Sequence, residues 1–154
     1  MPTTDRPPLA LRITRTFAAP RERVFRAWTD PQAIKKWFIE PSDGSWTREP
    51  EIDARPGGAY CFTGESNGKP WDIHGTYREV DPPAKLVFTW EWEDHPAPGD
   101  SGDTLVTVEF LDRGERTEVV LTHERFPSEA SRKDHETGWD GCFDSIERVL
   151  SQSV

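Results

Sequence analysis

Residues 131–152 read SRKDHETGWDGCFDSIERVLSQ, a stretch without proline that decides the fold. Ser131 and Asp134 form an S-x-x-D signal that is typical of a helix start. Apolar and aromatic side chains then recur at steps of three and four residues, which places them on one helix face; with one histidine they are His135, Trp139, Cys142, Phe143, Ile146, Val149 and Leu150. The pattern predicts an amphipathic helix roughly 30 Å long, which needs an apolar surface of matching length.

Two glycines interrupt this predicted helix. Gly138 and Gly141 would each cost about 1 kcal/mol relative to alanine in a helix interior. We therefore expect another backbone or a ligand to come close to the helix at both positions. A frayed first turn is the alternative for Gly138.

Most of the chain upstream alternates between apolar and polar residues, as half-buried strands do. The first strand covers residues 9–17 and carries Arg15 on the same side as Leu11 and Phe17. Two short helices follow, one starting at Pro20 and one capped by Asp30. The apolar residues predicted to be buried in them are Val24, Phe25, Trp28, Ile34 and Trp37.

The remaining strands are predicted at residues 46–54, 59–65, 71–80, 86–92, 104–111 and 117–124. The first of these contains Pro50, which favours an edge or bulged strand. Residues 55–58 (Arg-Pro-Gly-Gly) suit a type II turn, and Asn67-Gly68 suits a hairpin. Residues 94–102 are predicted to form a polar loop, and residues 1–8 a flexible tail.

An antiparallel sheet with one apolar and one solvent-exposed face fits this alternation. Its twist would give the sheet a concave, curved shape. The mostly aromatic residues that alternate along one strand, Leu86, Phe88, Trp90 and Trp92, would lie on the concave face of this sheet. The sequence predicts an α+β helix-grip fold in a single domain, residues 9–154, with a curved sheet of six to seven strands around the long C-terminal helix.

Composition excludes several classes of partner. The chain has 28 acidic and 19 basic residues, a net charge of −9, so it lacks the basic excess that nucleic acids or anionic membranes require. We see no signal peptide and no run of 18 apolar residues. Cys61 and Cys142 form no C-x-x-C pair, so we expect a reduced, cytoplasmic protein without membrane insertion.

Four blocks of the sequence resemble the START-like, or SRPBCC, superfamily. They are RTFAAPRERVFRAWTDPQAIKKWF from residue 15, DARPGGAY from residue 53, GTYREVDPPAKLVFTWEWE from residue 75, and LTHERF with HETGW from residues 121 and 135. More narrowly, they look like the branch named after the C-terminal domain of the activator of the 90-kDa heat-shock protein ATPase. The resemblance runs from Leu9 to Leu150 and implies a cavity between sheet and C-terminal helix, usually used for an apolar ligand.

Aromatic and polar side chains are available to line such a cavity. The candidates are Arg15, Trp37, Tyr60, Phe62, Tyr77, Phe88, Trp90, His123, His135, Trp139 and Phe143. Arg15 could hold a ligand carboxylate or pair with an internal acid. His123 and His135 could be general acids or bases, or hydrogen-bonded structural residues.

Three functions follow as hypotheses. The first is a non-catalytic module that binds a small hydrophobic or amphipathic molecule. The second is an enzyme similar to the superfamily's polyketide cyclases and dehydratases, which would need Arg15, His123, His135 or Tyr77 within reach of one another. The third is an interaction with a chaperone through the acidic outer surface, although the eight residues before Leu9 leave no room for the co-chaperone's additional N-terminal domain. A homodimer through a sheet face or edge stays open.

Neither a metal nor a cofactor is expected. The four histidines are scattered, and no H-E-x-x-H or paired cysteines occur. The acids of residues 91–103 lack a calcium-loop pattern and are interpreted as a solvated rim. No G-x-S-x-G motif or phosphate-binding loop is present.

Overall fold

A computed structural model of the chain describes residues 9–38, 44–46, 50–66, 69–93, 104–126 and 128–152. Its helices are α1 (Arg21–Thr29), α2 (Pro31–Trp37) and α3 (Glu129–Gln152). Its strands are β1 (Ala10–Phe17), β2 (Gly44–Trp46), β3 (Glu51–Ile52), β4 (Ala59–Ser66), β5 (Lys69–Asp81), β6 (Lys85–Glu93), β7 (Thr104–Arg113) and β8 (Arg116–Glu124). The predicted tail, the Asn67-Gly68 turn, the 94–102 loop and the Trp92 side chain lie outside the described residues.

The strands form one antiparallel sheet in the order β1-β8-β7-β6-β5-β4-β2, with β3 also paired to β4. The helix-grip α+β prediction is confirmed. Among the described residues, β2 and β3 both pair with β4 and together take the place of the predicted strand at residues 46–54. Counted as one, they give the seven strands that were predicted; counted separately, they give eight. Pro50 precedes β3 and has no N–H to donate to a ladder.

The apolar residues of the central strands point to one side of the sheet, as predicted. In β7 the buried residues alternate with partly exposed ones, and Val106, Val108 and Phe110 are completely buried. The same face of β8 carries Val119 and Leu121, also completely buried. This face forms the core surface on which α3 packs.

Helix α3 begins two residues earlier than the sequence pattern indicated. The Ser131 N–H donates to Ser128 Oγ at 3.1 Å, so Ser128 caps the first turn and Ser131 lies inside the helix. Four residues of the predicted stripe are buried, namely Trp139, Phe143, Ile146 and Leu150. The other three, His135, Cys142 and Val149, are partly buried.

The expectation of a close approach at the helix glycines is wrong. A Cβ added at Gly138 or Gly141 would meet nothing within 4 Å, and both residues are exposed. Close approach occurs instead in the sheet, where a Cβ at Gly75 would lie 2.1 Å from the carbonyl oxygen of Thr89. A side chain at Gly75 would therefore force β5 and β6 apart.

The two short helices follow the predicted start signals and cover one end of the sheet. Asp30 caps α2, its Oδ1 accepting from the Gln32 N–H at 3.0 Å. Trp37 Nε1 donates to the Ala27 carbonyl at 2.7 Å, which fixes α2 against α1. The Arg23 guanidinium donates to the Leu150 carbonyl and so satisfies a free acceptor at the end of α3.

Turn chemistry holds the start of β4 in place. The Gly58 N–H donates to the Arg55 carbonyl at 2.8 Å, and Gly57 has φ of +86°, which is the geometry of the predicted type II turn. Gly58 allows the chain to double back, because a Cβ there would lie 2.0 Å from the Asp53 carbonyl oxygen.

Candidate functional site

A small apolar cavity lies between the sheet and the helices. Its volume is about 20 Å³, and about 10–15 Å³ is enough for one water molecule. It is lined by Trp28, Ile34, Trp37, Phe38, Tyr60, Phe62, Tyr77, Phe88, Trp90 and Trp139. Nine of these ten residues are aromatic, and the ten side chains together fill nearly all of the space under the helices.

Three layers of the fold supply the lining. Strands β4, β5 and β6 contribute inward-facing aromatic residues from adjacent positions, as the pairing of Tyr77 with Phe88 shows. The α1–α2 pair and the next residue, Phe38, close one side. Helix α3 contributes Trp139, whose ring lies 5.1 Å from that of Trp90 and 5.8 Å from that of Trp28.

One wall of the cavity depends on a hydrogen bond that crosses the sheet. The Tyr60 hydroxyl donates to the Thr89 carbonyl, passing the position where Gly75 has no side chain. The Thr89 hydroxyl accepts from the Thr76 N–H at 2.9 Å. Burial raises the pKa of Tyr60 and of Tyr77 well above the usual value for tyrosine, so both hydroxyls keep their protons.

His123 lies behind the cavity wall and is completely buried. Trp139 Nε1 donates to His123 Nδ1 at 3.1 Å. Thr104 Oγ1 donates to the Trp90 carbonyl at 2.9 Å and lies 2.6 Å from His123 Nε2. Because the indole N–H can only donate, Nδ1 is the acceptor and the proton is on Nε2, from which it is donated to Thr104.

This arrangement keeps His123 neutral. Burial lowers the pKa of His123 well below the usual value for histidine, and the neighbouring His135 lowers it further. Both ring nitrogens are already used in holding Trp139 and Thr104. His123 is therefore a positioning residue that orients two parts of the wall, not an acid or base facing the cavity.

His135 is partly buried and packs beside this network. Its Nδ1 lies 2.8 Å from the Ser131 carbonyl oxygen, so Nδ1 carries a proton and donates it one helical turn back. Its ring centroid is 5.1 Å from that of His123 and 5.0 Å from that of Phe126. It does not line the cavity.

Arg15 lies at the other end of α3, away from the cavity lining. Its Nη1 donates to Asp144 Oδ1 at 2.7 Å and to Glu147 Oε1 at 3.4 Å. The guanidinium carbon also lies 5.7 Å from the centre of the Phe143 ring. Arg15 thus joins β1 to α3. Of the two roles predicted for it, the structure shows the pairing with acidic side chains of the protein.

The structure brings together seven of the predicted lining residues: Trp37, Tyr60, Phe62, Tyr77, Phe88, Trp90 and Trp139. It places Arg15, His123, His135 and Phe143 outside the lining. The prediction missed Trp28, Ile34 and Phe38. Trp28 and Ile34 belong to the predicted buried stripes of the short helices, so the sequence indicated that both are buried. It did not indicate that they face the sheet.

Other kinds of site find little support in the part of the chain that the structure describes. No three His, Cys, Asp or Glu side chains there come together as metal ligands. Of the described helices, none is long and apolar enough to cross a membrane. Cys61 and Cys142 are not joined in a disulfide.

A long C-terminal helix packed on a curved antiparallel sheet defines a START-like helix-grip fold. The family model described as activator of Hsp90 ATPase homolog 1-like protein matches residues 18–151. The chain therefore belongs to this family. No curated protein matches the sequence.

Solved structures agree with this assignment. Protein CV1439 from Chromobacterium violaceum is 25% identical with a TM-score of 0.81, over 94% of this chain and 98% of that one. CalU16 from Micromonospora echinospora is 26% identical with a TM-score of 0.68, over 93% and 76% of the two chains. The AHSA1 protein SPO3351 from Silicibacter pomeroyi is 22% identical with a TM-score of 0.78, over 92% and 97%, and this likeness shows the fold alone.

Proposed function

We propose that this protein binds a small hydrophobic or amphipathic molecule between its sheet and α3, in the cavity lined by the ten residues named above. The observation that carries the proposal is the composition of that wall: it is apolar and aromatic, and it lies beneath α3 in a single connected core. Ligand sites in proteins are typically concave, mostly apolar and supplied with few polar groups.

The cavity of about 20 Å³ is much smaller than the 300–1,000 Å³ typical of ligand sites. A ligand must therefore separate the rings as it enters. The α1–α2 pair, with Trp28, Ile34 and Trp37, is a part of the wall that no sheet hydrogen bonds hold. We expect binding to move these helices away from β4 and β6.

The enzyme alternative requires an acid–base set that faces the cavity. The structure uses Arg15 in ion pairs with α3 and both nitrogens of His123 in hydrogen bonds behind the wall. Tyr77 alone of those candidates lines the cavity. Binding without reaction is therefore the function that the arrangement supports best.

Two phenylalanines on neighbouring strands provide a matched test. Phe88 lines the cavity, whereas Phe110 is buried outside its lining. Native mass spectrometry identifies any molecule that co-purifies, and tryptophan fluorescence follows titration with fatty acids and flat aromatic compounds, since four tryptophans line the site. We expect Phe88→Leu to change the affinity at least threefold and Phe110→Leu to leave it within twofold; no binding across the panel would contradict the proposal.

A further inference from the structure

Trp28, which lines the cavity, carries a polar atom that the described part of the fold does not use. Trp28 is 5% exposed, and its Nε1 is buried without a hydrogen-bond acceptor in the part of the chain that the structure describes. Two other cavity tryptophans differ: Trp37 Nε1 donates to the Ala27 carbonyl and Trp139 Nε1 to His123. A buried N–H without an acceptor is uncommon and costly in folded proteins.

The surroundings of Trp28 offer the N–H only weak acceptors. The ring of Trp28 stacks on Trp139 at 26° and meets Phe110 and Phe143 edge to face. Ring faces are much weaker acceptors than a carbonyl oxygen. A water molecule would need two to four polar partners, whereas a carbonyl group on an apolar ligand needs this one donor.

Charge excludes a further class of ligand. All ten side chains that line the cavity are uncharged. Arg15, a candidate for a ligand carboxylate, is already paired with Asp144 and Glu147. An anionic group buried against these rings would have no counter-charge, and the desolvation of an unpaired charge is prohibitive.

We propose that the ligand of this site is an uncharged carbonyl compound, such as an aromatic ketone, aldehyde or ester, whose oxygen accepts the Trp28 Nε1 hydrogen bond. This inference rests on the proposed function of the cavity. On this inference, Trp28 favours ligands that carry a hydrogen-bond acceptor. Free fatty acids would bind poorly, because the uncharged lining offers no partner for their carboxylate.

Three probes of nearly equal size test the inference: acetophenone, α-methylstyrene and benzoate. α-Methylstyrene replaces the ketone oxygen by a CH₂ group, and benzoate replaces the ketone by a carboxylate. We expect both neutral probes to bind and benzoate to bind at least tenfold more weakly than acetophenone. Isothermal titration calorimetry measures the three dissociation constants.

Trp28→Phe then removes the N–H and keeps an aromatic ring. We expect the affinity for acetophenone, relative to that for α-methylstyrene, to fall about three- to tenfold, the range for one hydrogen bond. Trp37→Phe removes an N–H that is already bonded to Ala27, so it should weaken both probes together and leave the ratio unchanged. If Trp28→Phe does not fold, benzothienylalanine at position 28 replaces the N–H by sulfur and keeps the bicyclic shape.

The indole N–H resonances give a second readout on the wild-type chain. We expect acetophenone to move the Trp28 Nε1–H resonance downfield and α-methylstyrene not to do so. Binding of both neutral probes with an unchanged ratio in Trp28→Phe, or benzoate binding as tightly as acetophenone, overturns this inference and leaves the cavity function intact. Failure of every probe to bind overturns both.

Discussion

The two halves of the core are packed in different ways. In the solid half, defined by Phe17, Phe110, Val119, Leu121, Phe143 and Ile146, the side chains are 0–1% exposed. In the cavity half, defined by the ten lining residues, they are 2–6% exposed and surround an empty volume. The solid half mixes phenylalanine rings with branched aliphatic side chains, which interdigitate to the density of a crystal. In the cavity half nine of the ten lining residues are aromatic, and their large flat rings leave a gap.

Helix α3 belongs to both halves. Its Phe143 ring lies 5.8 Å from that of Phe17 in the solid half, and Trp139, one turn earlier, faces the cavity. The same helix therefore packs tightly at Phe143 and borders the small cavity at Trp139. Stability should come mainly from the first half and binding from the second.

The largest expected effect comes from truncating one ring in each half. Phe143→Ala should lower the free energy of unfolding by about 4 kcal/mol, because it opens a new cavity in packed surroundings. Phe62→Ala should cost about 1–2 kcal/mol less, since Phe62 already lacks neighbours on its cavity side. Urea denaturation of both variants measures the difference; equal losses would contradict the comparison.

The second prediction concerns His123, which lies between the halves. Its pKa is lowered on folding, so the unfolded chain binds the extra proton and stability falls as the pH falls below about 6.5, the unfolded value. Between pH 7.5 and 5.5 we expect a loss on the order of 1 kcal/mol from this group. The ring of His135 adjoins that of His123 and contributes to the lowering of the His123 pKa.

Urea unfolding at several pH values tests this prediction. His123→Gln cannot titrate, so its stability should change less over this pH range than that of the wild type. His135→Gln, which keeps His123, should retain most of the slope. A wild-type curve that is flat between pH 7.5 and 5.5 would show that His123 is not held neutral.

The third prediction concerns the backbone of α3 beside Trp139. Gly138→Ala and Gly141→Ala should each stabilise the protein by about 1 kcal/mol, because each new Cβ meets open space. Gly58→Ala is the contrasting variant and should destabilise, since its Cβ would lie 2.0 Å from the Asp53 carbonyl oxygen. Thermal unfolding ranks the three. Destabilisation by both helix substitutions would mean that this end of α3 requires glycine.

The smallest expected effect is at Arg15, in the solid half. The acids that it pairs with are 61–69% exposed, so the ion pairs are screened by solvent. Arg15→Met, which keeps the packing over Phe143, should cost about 0.5 kcal/mol at low salt and less in 0.5 M NaCl. A loss above 2 kcal/mol, or one that salt does not reduce, would show that Arg15 does more than join β1 to α3.

The solid half was largely predictable from the sequence. A strict alternation such as that of Val106, Val108 and Phe110 fixes which face of a strand is buried, and the spacing of Phe143, Ile146 and Leu150 fixes the matching helix face. Caps and turns with a defined chemistry, such as Asp30 and Gly57, were also predictable. The helix start was not, because Ser128 and Ser131 are both plausible caps.

The cavity half was predictable in its sheet residues and less so in its helical ones. Alternation alone placed Tyr60 and Phe62 on the inner face. Trp28 and Phe38 reach the cavity through the packing of the α1–α2 pair on the sheet, which no local pattern encodes. Arg15 shares the inner face of β1 with Phe17, but β1 is an edge strand, and sequence periodicity does not distinguish an edge from the centre.

The central claim is that an apolar molecule enters between the rings of the cavity half. A crystal structure of the protein grown with saturating α-methylstyrene tests it most directly. We predict density for the probe among Trp28, Phe62 and Trp90, with the α1–α2 pair displaced from the sheet and the solid half unchanged. A structure in which these rings stay closed and the probe is absent or lies elsewhere would contradict the account.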